Sequence, residues 1–416
     1  MRLSYAREQE DLSRQLREYF ADLMTPERRA ALSIAHRARP NGSSRPNGDS
    51  GPDGYSRTDG DLGDKDAYRE VIQQLGTDGW LALSWPSEYG GQGRSQLDQL
   101  VFADEAALAG VPVPFLTLNT VGPTIMRFGT PEQKEFFLPR IAAGQLHFSI
   151  GYSEPDAGTD LASLRTRAVR DGDEYVVNGQ KMWTSLIEYA DYIWLACRTD
   201  PNAVKHRGLS ILVVPADAPG FSWTPVHTLT GLSTSATYYR DVRVPQTALI
   251  GPENGGWPLI TNQLNHERVA LTPAAPLRSV LAEVQDWARR TRGPDGRRRI
   301  DAEWVQLNLA RVHAKAEVLW LMNARVAAGA EHGVDPAEAS ATKVYGTELA
   351  TEAYRLLMEI LGPAACLQDD SPGAVLHGRV ERMHRSALIL TFGGGTNEIQ
   401  RDIIAAVGLR LPVGKR

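Results

Sequence analysis

The stretch TRAVRDGDEYVVNGQKMW, Thr166 to Trp183, breaks the helical texture of the chain and decides how the rest is divided. Val, Tyr and Thr favour a pleated, half-buried surface, and Asp-Gly and Asn-Gly are turn signals between short runs. Further runs of the same kind follow: DYIWLACRT (191–199), LSILVVPAD (209–217) and ATYYRDVRVP (236–245). The part from His147 to Gly255 therefore reads as a β domain. On either side the period is helical. Leu12, Leu16, Tyr19, Phe20 and Leu23 recur at helical spacing, as do Leu97, Leu100, Val101 and Leu108. After GPENGGWPL (251–259) the same period returns through Leu281, Val284 and Trp287, then Val305, Leu309 and Val312.

The expected fold class is α+β: an N-terminal helical domain over 1–146, a middle β domain over 147–255 and a C-terminal helical domain over 256–416, without internal repeats. Inside the first domain, Ala38 to Asp64 is so rich in Gly, Pro, Ser, Asn and Asp that it reads as a flexible surface insert with no chemistry of its own.

Composition narrows the function. The 416 residues are 42% apolar, enough for a sizeable core and two or three domains. The formal charge is −5 with basic residues scattered, so no electrostatic footprint for nucleic acid stands out. The start MRLSYAREQEDLSRQ lacks an apolar signal core, and no run approaches the roughly 18 apolar residues of a membrane span, which makes a cytoplasmic location the default expectation. Cys197 and Cys366 suit buried, reduced thiols rather than a disulfide framework. Neither has metal-ligand spacing, and no metal is expected.

Four segments carry the chemistry: WPSEYGGQG (Trp85 to Gly93), GYSEPDAGTDLASL (Gly151 to Leu164), NGQKMWTS (Asn178 to Ser185) and GGTNEIQRDIIA (Gly394 to Ala405). Each alone is an ordinary Gly-containing string. In this order and at these separations they resemble the acyl-CoA dehydrogenase family over nearly the whole chain apart from the insert. The resemblance implies a helical domain, a β-barrel-like domain and a four-helix bundle. It also implies FAD as cofactor and oxidation of the Cα–Cβ bond of an acyl-CoA thioester, with electrons passed to an electron-transfer flavoprotein.

An isoalloxazine needs donors along its pyrimidine edge and a flat apolar wall. Tyr152, Ser153 and Thr159 offer backbone and hydroxyl donors; Trp183, Thr184 and Ser185 offer a wall and further hydrogen bonds. By similarity, Ser153, Trp183 and Ser185 match flavin contacts, Thr159 matches a site near CoA and flavin, and Thr396 and Glu398 fall in the cofactor-side motif. The other reading of Trp183 is a core tryptophan beside turn-forming Ser and Thr.

Two departures from the family pattern matter. In many relatives the catalytic carboxylate stands immediately before the Gly-Thr of the last motif, and here that position is Gly394. A minority, including isovaleryl- and long-chain-type enzymes, carries the base in a segment resembling LNHERVAL (Leu264 to Leu271), where Glu267 matches it and Arg268 is placed on the substrate side. The glycines then leave room for a bulky acyl group near a backbone N–H that binds the thioester oxygen. A solvated Glu267 ion pair is the plain alternative, with His266 and Glu398 as rival bases. Second, relatives clamp the other half of FAD across a subunit interface. At the two matching places this chain reads RRTRGPDGRRRIDAEW (Arg289 to Trp304) and EILGPAACLQ (Glu359 to Gln368). The expected Phe and Gln are absent, Glu359 stands for a Gln and Pro363 for a glycine. An acid beside a pyrophosphate loses a donor and adds repulsion. This implies a hetero-oligomer with a second acyl-CoA dehydrogenase subunit, as in actinobacterial steroid side-chain enzymes, whose base-bearing subunits the chain most resembles. Alternatives are a branched acyl-CoA as substrate, a non-catalytic subunit, a dehydrogenase of secondary-metabolic acyl thioesters, and a nucleic-acid-associated relative of the same fold.

Overall fold

The computed structural model describes residues 5–33, 64–229, 233–270, 272–330, 333–368 and 371–412, without the side chains of 233 and 266–270. Apart from Asp64, the insert lies outside the described residues; Asp64 itself caps the next helix by accepting the Ala67 amide at 2.8 Å.

Among the described residues, six α-helices precede the sheet: α1 (Arg7–Leu23), α2 (Pro26–Ser33), α3 (Lys65–Thr77), α4 (Gln96–Ala109), α5 (Gly122–Phe128) and α6 (Pro131–Ala142). The expected stripe of α1 is the buried one, since Leu12, Leu16, Phe20 and Leu23 all pack inward. Each such side chain contributes about 1.5–3 kcal/mol relative to exposure. On α4 the stripe is incomplete: Val101 is buried, but Leu108 faces out. WPSEYGGQG is a largely exposed structural turn anchored by the buried Trp85. Trp85 accepts the Gly93 amide at 2.8 Å, and a Cβ on Gly91 would sit 2.1 Å from the Trp85 carbonyl oxygen.

The strands are β1 (Phe148–Gly151), β2 (Arg167–Asp171), β3 (Glu174–Lys181), β4 (Tyr192–Arg198), β5 (Leu209–Pro215), β6 (Phe221–His227), β7 (Ser233–Pro245) and β8 (Leu249–Ile250). They form a mixed sheet in the order β6-β7-β3-β2-β4-β5-β8, with β1 parallel to β4. Inward residues of β2, β3, β4, β5 and β7 share one buried cluster, as in a sheet curling into a barrel, although the edge strands β6 and β8 do not pair with each other. On β4, Ile193, Leu195 and Cys197 enter that cluster while Trp194 and Ala196 enter the helical core. A strand covered on both faces reads as a continuous apolar run, which is why YIWLAC shows no alternation.

Among the described residues, six α-helices follow: α7 (Gly256–Ala270), α8 (Ala275–Arg290), α9 (Glu303–Gly329), α10 (Pro336–Leu361), α11 (Arg379–Leu390) and α12 (Asn397–Ile403). Helices α8 to α11 share a second apolar core and make the four-helix bundle, with α7 and α12 packed on α10. Cys197 is buried, which pushes its thiol up to about 12. Cys366 corrects the expectation of two buried thiols, because it is the exposed last residue of the turn Pro363–Cys366. No helix among the described residues is long and apolar enough to cross a membrane.

Candidate active site

The motif residues fall into two groups on different layers. The first lies where β1 and β3 end. Tyr152 is buried, and its hydroxyl accepts the Trp194 indole N–H at 3.0 Å. The Ser153 carbonyl accepts the Met182 amide at 2.8 Å, which joins the segment after β1 to the segment after β3. The chain then turns sharply. Trp183 takes a left-handed backbone, φ 65°, and leaves 56% of its surface exposed. A bulky residue in that region is strained by about 1–3 kcal/mol, and such strain clusters at ligand sites. The core-tryptophan alternative therefore fails: the indole is a flat apolar face turned to solvent.

Thr184 requires a correction. It is fully buried, its amide donates to the Ser235 carbonyl at 2.9 Å and its hydroxyl lies 3.4 Å from that of Thr237. The turn at Trp183 sends the next side chain inward, so Thr184 anchors the segment and offers nothing to a ligand on the surface. Ser185 is half-buried, with its hydroxyl 3.0 Å from that of Thr234 and its carbonyl accepting from Ser149 at 2.9 Å. Thr159 is exposed on the loop after Ala157, beside Gly158, which has open space around it.

Two residues that motif reading did not single out hold this group together. Lys181 is fully buried, and its ammonium donates to the Tyr152 carbonyl at 2.9 Å and to Glu154 at 2.8 Å. Glu154 also accepts the Arg165 and Thr166 amides at 2.7 and 2.8 Å. Burial pushes the Glu154 carboxyl up, but Lys181 and the two amides outweigh it and hold it below the ordinary carboxylate value. The returning 151–166 segment supplies both hydrogen-bond partners of Lys181.

The second group lies on the bundle. The triple-glycine loop takes left-handed backbone at Gly394, φ 65°, and Gly395, φ 94°, and a Cβ on Gly395 would meet the Gln400 amide nitrogen at 2.6 Å. Thr396 caps α12 by accepting the Ile399 amide at 3.3 Å, and Glu398 is exposed in the first turn of that helix. Glu267 and Arg268 lie in the last turn of α7, which packs on α10 and on the π-helical turn 117–121. Their side chains, with that of the rival His266, lie outside the described residues. Of the altered clamp elements, Glu359 pairs with Arg355 at 2.5 Å and Arg289 with Asp286 at 2.7 Å.

Comparison with known proteins gives consistent matches. Family models for the acyl-CoA dehydrogenase N-terminal, middle and C-terminal domains match residues 59–145, 149–242 and 254–409. Acyl-CoA dehydrogenase FadE26 of Mycobacterium tuberculosis is 64% identical over all of both chains. A chain in the crystal structure of the ChsE4-ChsE5 complex from the same organism superposes with TM-score 0.87 at 65% identity, covering all of both chains. A chain of the Tcur3481-Tcur3483 steroid ACAD superposes with TM-score 0.86 at 45% identity, again over all of both chains.

Proposed function

We propose, from the premise that the chain belongs to the acyl-CoA dehydrogenase family, that it oxidises the Cα–Cβ bond of an acyl-CoA thioester with bound FAD. The observation that carries the cofactor reading is Trp183, exposed and held at a strained backbone angle beside Ser153 and Ser185. These residues fit a flavin: the indole gives the wall, and the Ser153 amide and the Ser185 hydroxyl give polar contacts along the ring. The chemistry FAD would supply when bound is acceptance of the β-hydrogen with its electron pair, with an electron-transfer flavoprotein as the proposed outlet for the electrons.

The protein supplies the base and the carbonyl donor. A thioester α-proton is weakly acidic, so a positioned carboxylate must remove it. Glu267 on α7 is the proposed base, because the usual position is Gly394. A backbone N–H of the 393–396 loop is the proposed donor to the thioester oxygen, stabilising the charge that develops as the proton leaves. Arg268 and Thr159 are assigned to the substrate and CoA side, Thr396 and Glu398 to the cofactor side.

The substrate class is steroid side-chain acyl-CoA, supported by the likeness to the steroid ACAD structure. A hetero-oligomer with a second acyl-CoA dehydrogenase subunit is supported by Glu359 and Pro363 in the clamp and by the likeness to two-component complexes. The decisive experiment is anaerobic mixing of the complex, purified from its native host, with steroid side-chain acyl-CoA. Bleaching of the yellow flavin supports the reading; a colourless complex, or a yellow one that no acyl-CoA bleaches, makes the chain a non-catalytic subunit.

A further inference from the structure

We infer that the buried Lys181–Glu154 pair is a positioning device for the pyrimidine edge of the cofactor, acting through the Tyr152–Ser153 peptide. This deepens the flavin reading above and rests on it. In a trans peptide the carbonyl and the following N–H point to opposite sides. Lys181 donates to the Tyr152 carbonyl from the interior at 2.9 Å, so the Ser153 N–H points away from the ammonium. A charged donor on the carbonyl polarises the peptide and strengthens the N–H at its other edge.

Lys181 therefore sets both the aim and the strength of the Ser153 donor, while Trp183, two residues beyond it, places the wall. Glu154 keeps the ammonium in place and, through the Arg165 and Thr166 amides, fixes where the intervening loop returns to the sheet. Well-packed apolar replacements of such buried pairs are often neutral or stabilising. A pair at this depth is thus accounted for by what it aims. The Lys181 ammonium, hydrogen-bonded directly to this peptide, also lowers the energy of negative charge placed against the Ser153 N–H.

The test uses the full chain in the assembly in which it purifies, with FAD as the probe. Removing both charges together, Lys181→Met with Glu154→Gln, leaves no uncompensated ion. The expected result is a melting temperature close to the parent's, FAD binding weaker by about tenfold or more in a fluorescence titration, and a lower midpoint potential of the bound flavin. Glu154→Gln alone removes only the negative partner and should move the potential upward, whereas Lys181→Arg should recover much of the affinity. Opposite signs are not expected of a merely structural pair. If the double variant does not fold, the opposed shifts of Glu154→Gln and Lys181→Met decide. Parent-like affinity and potential in the double variant, or shifts of the same sign in the single ones, overturn the inference while leaving the flavin reading intact. A parent that takes up no FAD overturns both.

Discussion

The fully buried Lys343 ammonium on α10 donates to the Gly395 carbonyl at 2.8 Å, pinning the triple-glycine loop from beneath. It also donates to the Asn397 side chain at 2.8 Å, and Gln400, itself held by Ser340 at 2.9 Å, reaches the Gly394 carbonyl at 3.3 Å. Gly394, where the family resemblance implies a carboxylate in many relatives, thus sits in a hydrogen-bonded loop with a backbone angle that favours glycine. Two consequences follow for the base.

Glu267→Gln should retain flavin and its spectrum while flavin reduction by acyl-CoA slows by about 10²–10⁴-fold, the usual loss on removing a general base. Stopped-flow absorbance measures it, and reduction near the parent rate excludes Glu267. Adding Gly394→Glu to that variant should not restore activity, because a side chain at φ 65° is strained and the loop is tied down by Lys343 and Gln400.

The strain at Trp183 gives an expectation of opposite signs. Trp183→Gly relieves a left-handed backbone and removes a side chain that is mostly solvent-exposed. The flavin-free protein should hold its melting temperature or gain stability by up to about 1 kcal/mol, while flavin affinity falls. A large drop in melting temperature would return the indole to the core.

Thr184 separates what motif reading reached from what it missed. The string NGQKMWTS supplies the proposed cofactor side, yet the inward turn of Thr184 follows from the positive φ of its neighbour, which residue types do not announce. Thr184→Val should leave flavin affinity unchanged and cost about 1 kcal/mol or less, since the hydroxyl contact to Thr237 at 3.4 Å is long. A clear loss of flavin in this variant would show that the hydroxyl reaches the ligand after all.

The α-β-α division was legible because it rests on local periodicity and turn chemistry. Lys181, Glu154 and Lys343 were not, because each is buried by segments far away in sequence, and Lys and Glu are among the residues least often buried. The exposed Cys366 was missed for a related reason: the apolar run EILGPAAC ends α10 and turns outward only at Gly362, φ 81°.

Two buried groups should give stability a pH dependence with opposed slopes. Burial pushes the Asp104 carboxyl on α4 up to about 7, against the opposing effect of Arg278. Burial also pushes His147 down to about 4, with Asp191 opposing. Asp104 has a folded value above its unfolded one, so its contribution is complete below about pH 4 and is lost as pH rises through about 7. His147 is the reverse: its contribution is complete above about 6.5 and is lost as pH falls through about 4. Asp104→Asn should therefore stabilise the protein at pH 8 relative to pH 5, by on the order of a few kcal/mol. Urea midpoints of parent and variant at the two pH values measure it, and equal differences would mean that Asp104 titrates normally.

The final expectation concerns the partner. Glu359 is held near the end of α10 by Arg355 at 2.5 Å, and Pro363 follows Gly362 where the family pattern has a glycine. An acid engaged in this way presents no amide donor to a pyrophosphate from a neighbouring subunit. If Ser153, Trp183 and Ser185 hold the flavin as proposed, the chain is expected to require a partner that supplies the clamp and itself needs no second flavin. Expressed alone, it should be poorly flavinated. Co-expressed with an acyl-CoA dehydrogenase subunit that keeps the Arg, Phe and Gln elements but lacks a base at both carboxylate positions, it should form a two-plus-two complex holding two FAD. Flavin absorbance against mass, by light scattering on the native complex, decides the matter. Four tightly bound FAD in a tetramer of this chain alone would mean that other residues replace the missing clamp and that no unlike subunit is required.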